Sequence, residues 1–249
     1  MLILLPPSET KTPGGTGAPL DLASLSFTDL NPARESIIVD LMRLSPEQAL
    51  PILGISEKLR AEAVANTELL TAPTMPAVLR YSGVLFDALD ASTLGSEALD
   101  RLVIGSALFG VVHAGDSIPH YRLSGGTKLP DAQGSLPTMK ARWGKSITSA
   151  LAGVDGLVID LRSGTYQQLG RVPEAVTVRV ESVMEDGSRR VVSHFNKHYK
   201  GQLARVLAMS PCEATSAAEV ADIARETGMT VEISAEVNPK VKETLTLVV

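Results

Sequence analysis

Three short, largely apolar runs, at residues 2–5, 102–104 and 157–161, stand far apart in this chain, with room for helices between them. Consecutive apolar residues without polar alternation are the pattern of a strand covered on both faces. Such strands pair in parallel only when a crossover connection, usually helical, lies between them. Further along, residues 175–183 and 189–195 alternate, and the Glu185-Asp-Gly-Ser188 turn joins them into a hairpin. Helix-separated buried strands and a hairpin in one chain suggest a mixed fold, not a purely parallel one. The predicted class is therefore mixed α/β (α+β), with the hairpin near 175–195.

Local punctuation places the helices. Asn31-Pro32 reads as a cap residue followed by proline at the first helical position. Ser45 and Gln48 form a capping box, each side chain reaching the other's free backbone N–H. Another helix is expected near Ser56, just past Gly54. Further helices are predicted at about 138–152 and 196–209, with Ser216 and Glu219 capping one more and Gly228 ending it. Residues 229–235 and 244–249 read as late strands, and 12–20 as a loop. The 249 residues show no repeat and no long linker, so one compact domain over 1–249 is expected, with a helical subregion at about 31–66.

Composition excludes several classes. A single cysteine, Cys212, rules out an internal disulfide framework and Cys-rich zinc modules. The net charge of −5, from 23 basic and 28 acidic residues, argues against a protein that coats nucleic acid indiscriminately. No apolar run approaches the ~18–20 residues of a membrane span. The first residues lack the basic region and cleavage site of a signal peptide, so a cytoplasmic location is expected.

Several motif fragments fail on their context. Gly144-Lys145-Ser146 lacks the glycine that a phosphate-binding loop needs at 139, which is Met. Ser8-x-x-Lys11 lacks the companion motifs of penicillin-binding enzymes. The Gly14–Gly17 loop has Leu20 where a dinucleotide fingerprint needs a small residue. His194 and His198 have metal-like spacing, but the predicted strand-to-helix junction falls between them. No metal site and no cofactor are expected.

Polar residues concentrate in three places. Ser8, Glu9 and Lys11 directly follow the first apolar run, and the ends of strands are where α/β proteins place site residues. Asp116, Tyr121 and Arg122 lie in a proline-punctuated loop equipped to fix an anionic group. Between Gly187 and Cys212 the chain carries Arg189, Arg190, Lys197, Lys200 and Arg205 with no acidic residue. On a helix, Lys197, Lys200, Gly201 and Ala204 share a face, Arg205 flanks it, and Tyr199, Leu203 and Val206 point toward the core. Gly201 and Ala204 would let a phosphate or a backbone approach closely.

These segments, taken in order, resemble the YaaA peroxide-stress family, formerly a domain of unknown function. The resemblance begins at Met1-Leu-Ile-Leu-Leu-Pro-Pro-Ser-Glu-Thr-Lys11 and continues through Tyr81-Ser-Gly83 with Phe86, then Ser106-Ala-Leu-Phe-Gly110. Asp116-x-x-Pro119-x-Tyr-Arg-Leu123, Trp143-Gly144, Val158-Ile-Asp-Leu-Arg-Ser163 with Tyr166, and Ser193-His-Phe-Asn-Lys-His-Tyr-Lys-Gly201 complete it. The resemblance implies a cytosolic protein that limits hydrogen peroxide damage by restraining unincorporated iron. It also implies DNA binding through a helix-hairpin-helix-like element and a positively charged cleft. The hairpin candidate is residues 52–61, which keep Gly54 but have Ser56 at the second glycine position. His113-Ala114 replaces a basic-Pro pair, and Ser124 stands where a Glu frequently follows Tyr-Arg-Leu.

Two readings remain open at this point. In one, Arg122, Lys197, Lys200 and Arg205 bind DNA or another anion. In the other, a pocket gathers Ser8, Glu9, Lys11, Tyr81, Asp116, Tyr121, Arg122, Asp160, Ser163, Tyr166, Lys197 and Lys200 around a phosphate-bearing or nucleobase-like small molecule. Convergence of Glu9, Arg122 and Lys197 in one cleft would favour the second.

Overall fold

A computed structural model describes residues 1–192, 195–234 and 243–249. Its strands are β1 (Leu2–Leu5), β2 (Met75–Pro76), β3 (Leu102–Ser106), β4 (Gly110–His113), β5 (Ser117–Ile118), β6 (Val158–Asp160), β7 (Val176–Val183), β8 (Arg189–Val191), β9 (Thr230–Ser234) and β10 (Glu243–Val248). The early helices are α1 (Asn31–Met42), α2 (Pro46–Leu53), α3 (Arg60–Ala65), α4 (Ala77–Arg80), α5 (Val84–Leu89) and α6 (Ser96–Asp100). The later ones are α7 (Met139–Trp143), α8 (Ser146–Ala152), α9 (Gly164–Gln167), α10 (Asn196–Met209) and α11 (Ala217–Glu226).

Among the described residues, eight strands form one mixed sheet in the order β4-β3-β1-β6-β7-β10-β9, with β8 on β7. The five central strands run parallel and the edge strands β4 and β9 antiparallel. All residues of β1, β3 and β6 are buried, as expected of strands covered on both faces. The long β7 pairs with β6 at its start and with β8 at its end, so one strand serves both the parallel sheet and the hairpin. β2 and β5 form a separate two-stranded ribbon.

The chain passes from β1 to β3 on one side of β1 and later to β6 on the other. The loops after β1 and β6 therefore diverge, and a crevice opens outside the C-terminal ends of these two strands. Open α/β sheets place ligands at such a switch point.

Local chemistry explains most element boundaries. The Ser45–Gln48 capping box is present in both directions and starts α2. Ser216 Oγ accepts from Glu219 N–H, while the Glu219 carboxylate turns back to Thr215. Near Ser56 the chain first makes a tight turn at Glu57–Leu59 and then enters α3. The second hairpin arm ends at Val191 in the sheet; Ser193, His194 and Ala235 lie outside the described residues.

Two expectations are corrected. Asn31 does not cap α1, because a preceding 3-10 turn runs into the helix. The Asn31 side chain instead donates to Leu22 O and accepts from the buried Arg34. The helix predicted at 138–152 is broken into α7 and α8 by Gly144, whose φ of 53° leaves the helical region. That break lets the Trp143 indole turn inward and donate to Ala107 O at 2.9 Å. Gly110 must lack a side chain for the same reason, since a Cβ there would lie 2.9 Å from the Trp143 ring.

Candidate functional site

A cleft of about 460 Å³ occupies the crevice beyond β1 and β6. Pro6, Pro7 and Glu9 enter it from the loop after β1, and Leu161, Ser163, Thr165 and Tyr166 from the segment after β6. Ser124–Gly126 forms a third wall, and Asn196, Lys197 and Lys200 from the first two turns of α10 form the fourth. A second hollow of about 260 Å³, lined by Ser8, Thr10, Ser82 and Phe86 among others, shares Pro6, Pro7, Glu9 and Lys197 with the first. The two hollows are adjoining lobes of one groove.

Arg122 does not line the cleft but is tied to it. Its guanidinium binds the Glu9 carboxylate at 3.0 Å and donates to Glu9 O at 3.1 Å. The Arg122 backbone is gripped by Asn66, whose amide donates to Arg122 O and accepts from Arg122 N–H, both at 2.8 Å. Asn66 follows α3, and Glu62 on α3 bonds His120 at 3.1 Å. The helical segment thus buttresses the loop that carries Arg122. In the segment the sequence marks as a hairpin, Gly54 is left-handed, and the Arg60 guanidinium is engaged by Glu47 and Glu57.

Lys11 is buried beside the cleft. Its ammonium donates to Ser8 O at 3.1 Å and lies 4.2 Å from the centre of the Tyr121 ring. Loss of water lowers its pKa to about 8, partly offset by the Glu9 charge. Under it runs a chain of hydroxyls: Ser106 Oγ to Tyr121 Oη at 2.7 Å, and Tyr121 Oη to Tyr81 Oη at 2.6 Å. Ser106 Oγ accepts from Leu108 N–H and Phe109 N–H. Both its lone pairs are occupied, so its own proton points to Tyr121 and Tyr121 donates onward to Tyr81. Burial pushes Tyr81 up to about 12 and Tyr121 well above its ordinary value, keeping both phenols neutral.

Tyr166 accepts from Gly125 N–H at 3.2 Å, and burial raises its pKa above the ordinary tyrosine range. Lys200 is only 8% exposed, and its ammonium donates to Leu161 O at 3.1 Å. Burial lowers its pKa to about 8, against the opposing charge of Asp160. Lys197, one turn earlier, is exposed at the junction of the two lobes.

Other candidates lie elsewhere. Asp160 is held by Arg162 through two side-chain contacts at 2.8–2.9 Å and accepts Arg162 N–H as well. Asp116 accepts from Ser26 N–H, Ser26 Oγ and His113 N–H, locking two loops together. Arg205 donates to Leu89 O and Asp90 O at the end of α5. The shared face of Lys197, Lys200, Gly201 and Ala204 is not an open basic surface. Gly201 and Ala204 are buried, and a Cβ on Gly201 would run into Leu85 O of α5. The close approach that these small residues permit is made by a backbone of the protein itself. Arg189, counted in the same basic stretch, pairs with Glu232.

Gly125, Gly126, Thr165 and Asn196 were not among the expected site residues. Asn196 sits inside a motif noted in the sequence, and Gly125-Gly126 lies one residue beyond another; position beside a motif was the available signal. Among the described residues, no group of three His, Cys, Asp or Glu is placed to hold a metal ion, and no helix is long and apolar enough to cross a membrane.

The fold and cleft define a class: a compact α/β protein with cations, a carboxylate and a phenol gathered outside its central parallel strands. A family model described as peroxide stress protein YaaA matches residues 1–231. The chain belongs to that family. A UPF0246 protein of Corynebacterium efficiens is 78% identical over 249 residues, covering 100% of both chains. One from Corynebacterium glutamicum is 69% identical over the same span, again with 100% of both chains covered. One from Streptomyces coelicolor is 42% identical over 246 residues, covering 94% of this chain and 93% of its own. Family membership supports a role in peroxide stress.

Proposed function

We propose that the chain serves peroxide stress by binding a phosphate-bearing or nucleobase-like small molecule in the cleft beyond β1 and β6. The observation that carries this reading is convergence: Glu9, Tyr166, Lys197 and Lys200 line one cleft, and Arg122 is bonded to Glu9. Two lysines near the start of α10 suit an anion, because the helix N-terminus adds its own partial positive charge. Glu9, Ser163 and Tyr166 supply acceptors and donors for an uncharged polar part.

A second reading assigns the phosphate to DNA, with restraint of damage by unincorporated iron as the consequence in the cell. The exposed position of Lys197 favours it, since that ammonium is reachable by a strand too large to enter the cleft.

Calorimetry with inorganic phosphate and nucleoside monophosphates, beside fluorescence polarisation with duplex DNA, separates the two. Saturable monophosphate binding that weakens about tenfold in Lys197→Ala is expected, the loss of one charge-assisted contact. Duplex binding with steep salt dependence and no monophosphate binding would transfer the assignment to DNA. Binding of neither would remove both.

A further inference from the structure

Among the described residues two lysines are buried, and their surroundings differ. Lys11 is boxed in by the Tyr81 and Tyr121 rings, 5.3 and 4.2 Å from its ammonium, and does not line the cleft. Lys200 is as deeply buried but faces the cleft. Its ammonium has one hydrogen-bond acceptor, Leu161 O, and no carboxylate within ion-pair distance among the described residues. The nearest acid in the sheet, Asp160, is committed to Arg162. A lysine kept only for its charge would be placed against an anion or in water.

Resting on the cleft reading above, we infer that Lys200 is a carbonyl-trapping residue, its Nζ forming a Schiff base with an aldehyde or ketone on an anionic ligand. The site is arranged for such a ligand. Lys197, one turn away at the rim, is placed for its anionic group. Tyr166 and Glu9 line the same cleft, from the walls formed after β6 and β1. The Tyr166 phenol stays protonated and accepts Gly125 N–H, which leaves its own proton for the carbonyl oxygen.

In the first step the amine lone pair forms the C–N bond and the carbonyl oxygen becomes a hydroxyl. In the second, the C–O bond breaks, the nitrogen gives up its remaining hydrogen, and water leaves. Two amine hydrogens and one carbonyl oxygen account for that water, and nothing is oxidised or reduced. The reaction needs a neutral amine. Burial lowers the Lys200 pKa to about 8, so a larger share of it is neutral near neutral pH than of an ordinary exposed lysine.

The test uses the whole wild-type chain, so no variant has to fold. Pyridoxal 5′-phosphate serves as a probe carrying both an aldehyde and a phosphate. It is added at pH 7.5, trapped with borohydride and located by peptide mass spectrometry. The expected result is labelling of Lys200 at least about tenfold faster than exposed Lys58 or Lys145, following its larger neutral fraction. Excess inorganic phosphate should suppress it. Labelling spread over surface lysines, with Lys200 no faster than the rest, overturns the inference. Phosphate binding in the cleft without labelling of Lys200 defeats the carbonyl chemistry and leaves the cleft reading intact. Labelling of Lys200 that phosphate does not suppress defeats the anion reading and leaves the chemistry intact.

Discussion

The Arg122 guanidinium holds Glu9 twice, by its carboxylate at 3.0 Å and by its backbone carbonyl at 3.1 Å. Arg122 is itself held through its backbone by Asn66. A line of contacts therefore runs from the helical segment, through Asn66 and Arg122, to the wall of the cleft. The two links differ in burial, so their loss has different consequences. Asn66→Ala strands a partly buried peptide N–H and C=O and should cost about 1–3 kcal/mol in urea denaturation. Arg122→Met breaks a partly solvated pair and should cost under about 1 kcal/mol. Both should weaken ligand binding in the cleft. Equal stability losses in the two variants would contradict this division.

Asp160 looks catalytic from its place at the end of a strand, yet its carboxylate is saturated by Arg162. Asp160→Asn leaves a buried guanidinium uncompensated and should destabilise the fold by about 3–5 kcal/mol. A variant with wild-type stability but altered ligand chemistry would return Asp160 to the site.

Gly201 faces Leu85 O of α5, and an added Cβ would also fall 2.8 Å from the Ala88 methyl group. In an isolated helix Gly→Ala is favourable by about 0.5–1 kcal/mol. Here the overlap is with backbone, and separating α10 from α5 should reverse the sign, to a loss of about 1–3 kcal/mol. Thermal denaturation of Gly201→Ala decides it; a raised Tm would refute the packing argument.

Stability should rise and then fall with pH. Lys11 and Lys200 have folded pKa values of about 8, below the ordinary 10.5. Between these values the unfolded chain holds protons that the folded protein has released, so raising the pH favours the fold. Below pH 8 both states are protonated and the contribution is constant. Tyr81 is raised to about 12, and Tyr121 and Tyr166 are also raised, so above the ordinary 10.0 the unfolded chain loses protons first and stability drops. Urea midpoints from pH 7 to 11 should climb past 8 and turn over above 10, with a shallower climb in Lys11→Met. Anion binding should weaken as pH rises through 8, because Lys200 loses its charge.

Much of the architecture was legible in local pattern. The all-apolar residues 2–5 could only be a covered strand, and the Ser45–Gln48 pair and Gly228 act within a few residues of themselves. Failures came where a distant group won. Asn31 was taken into the helix by the 3-10 turn before it, its amide reaching back to Leu22 O, and the helix across 138–152 was broken where Trp143 fills the space over Gly110.

By itself, the sequence determined the mixed α/β class, most element positions, the family, and the polar segments from which a site would be built. Tertiary structure alone decided which of those residues meet. Helical spacing placed Lys197, Lys200, Gly201 and Ala204 on one side, but packing against α5 closed that side and turned Lys200 toward the cleft. Charge counted along a chain records no partners. The acid-free stretch from Gly187 to Cys212 was therefore read as a basic strip, although Arg189 pairs with Glu232 and Arg205 caps α5. The physical reason is general: hydrogen bonds and ion pairs between residues a hundred positions apart depend on strand order, and strand order is a property of the folded sheet.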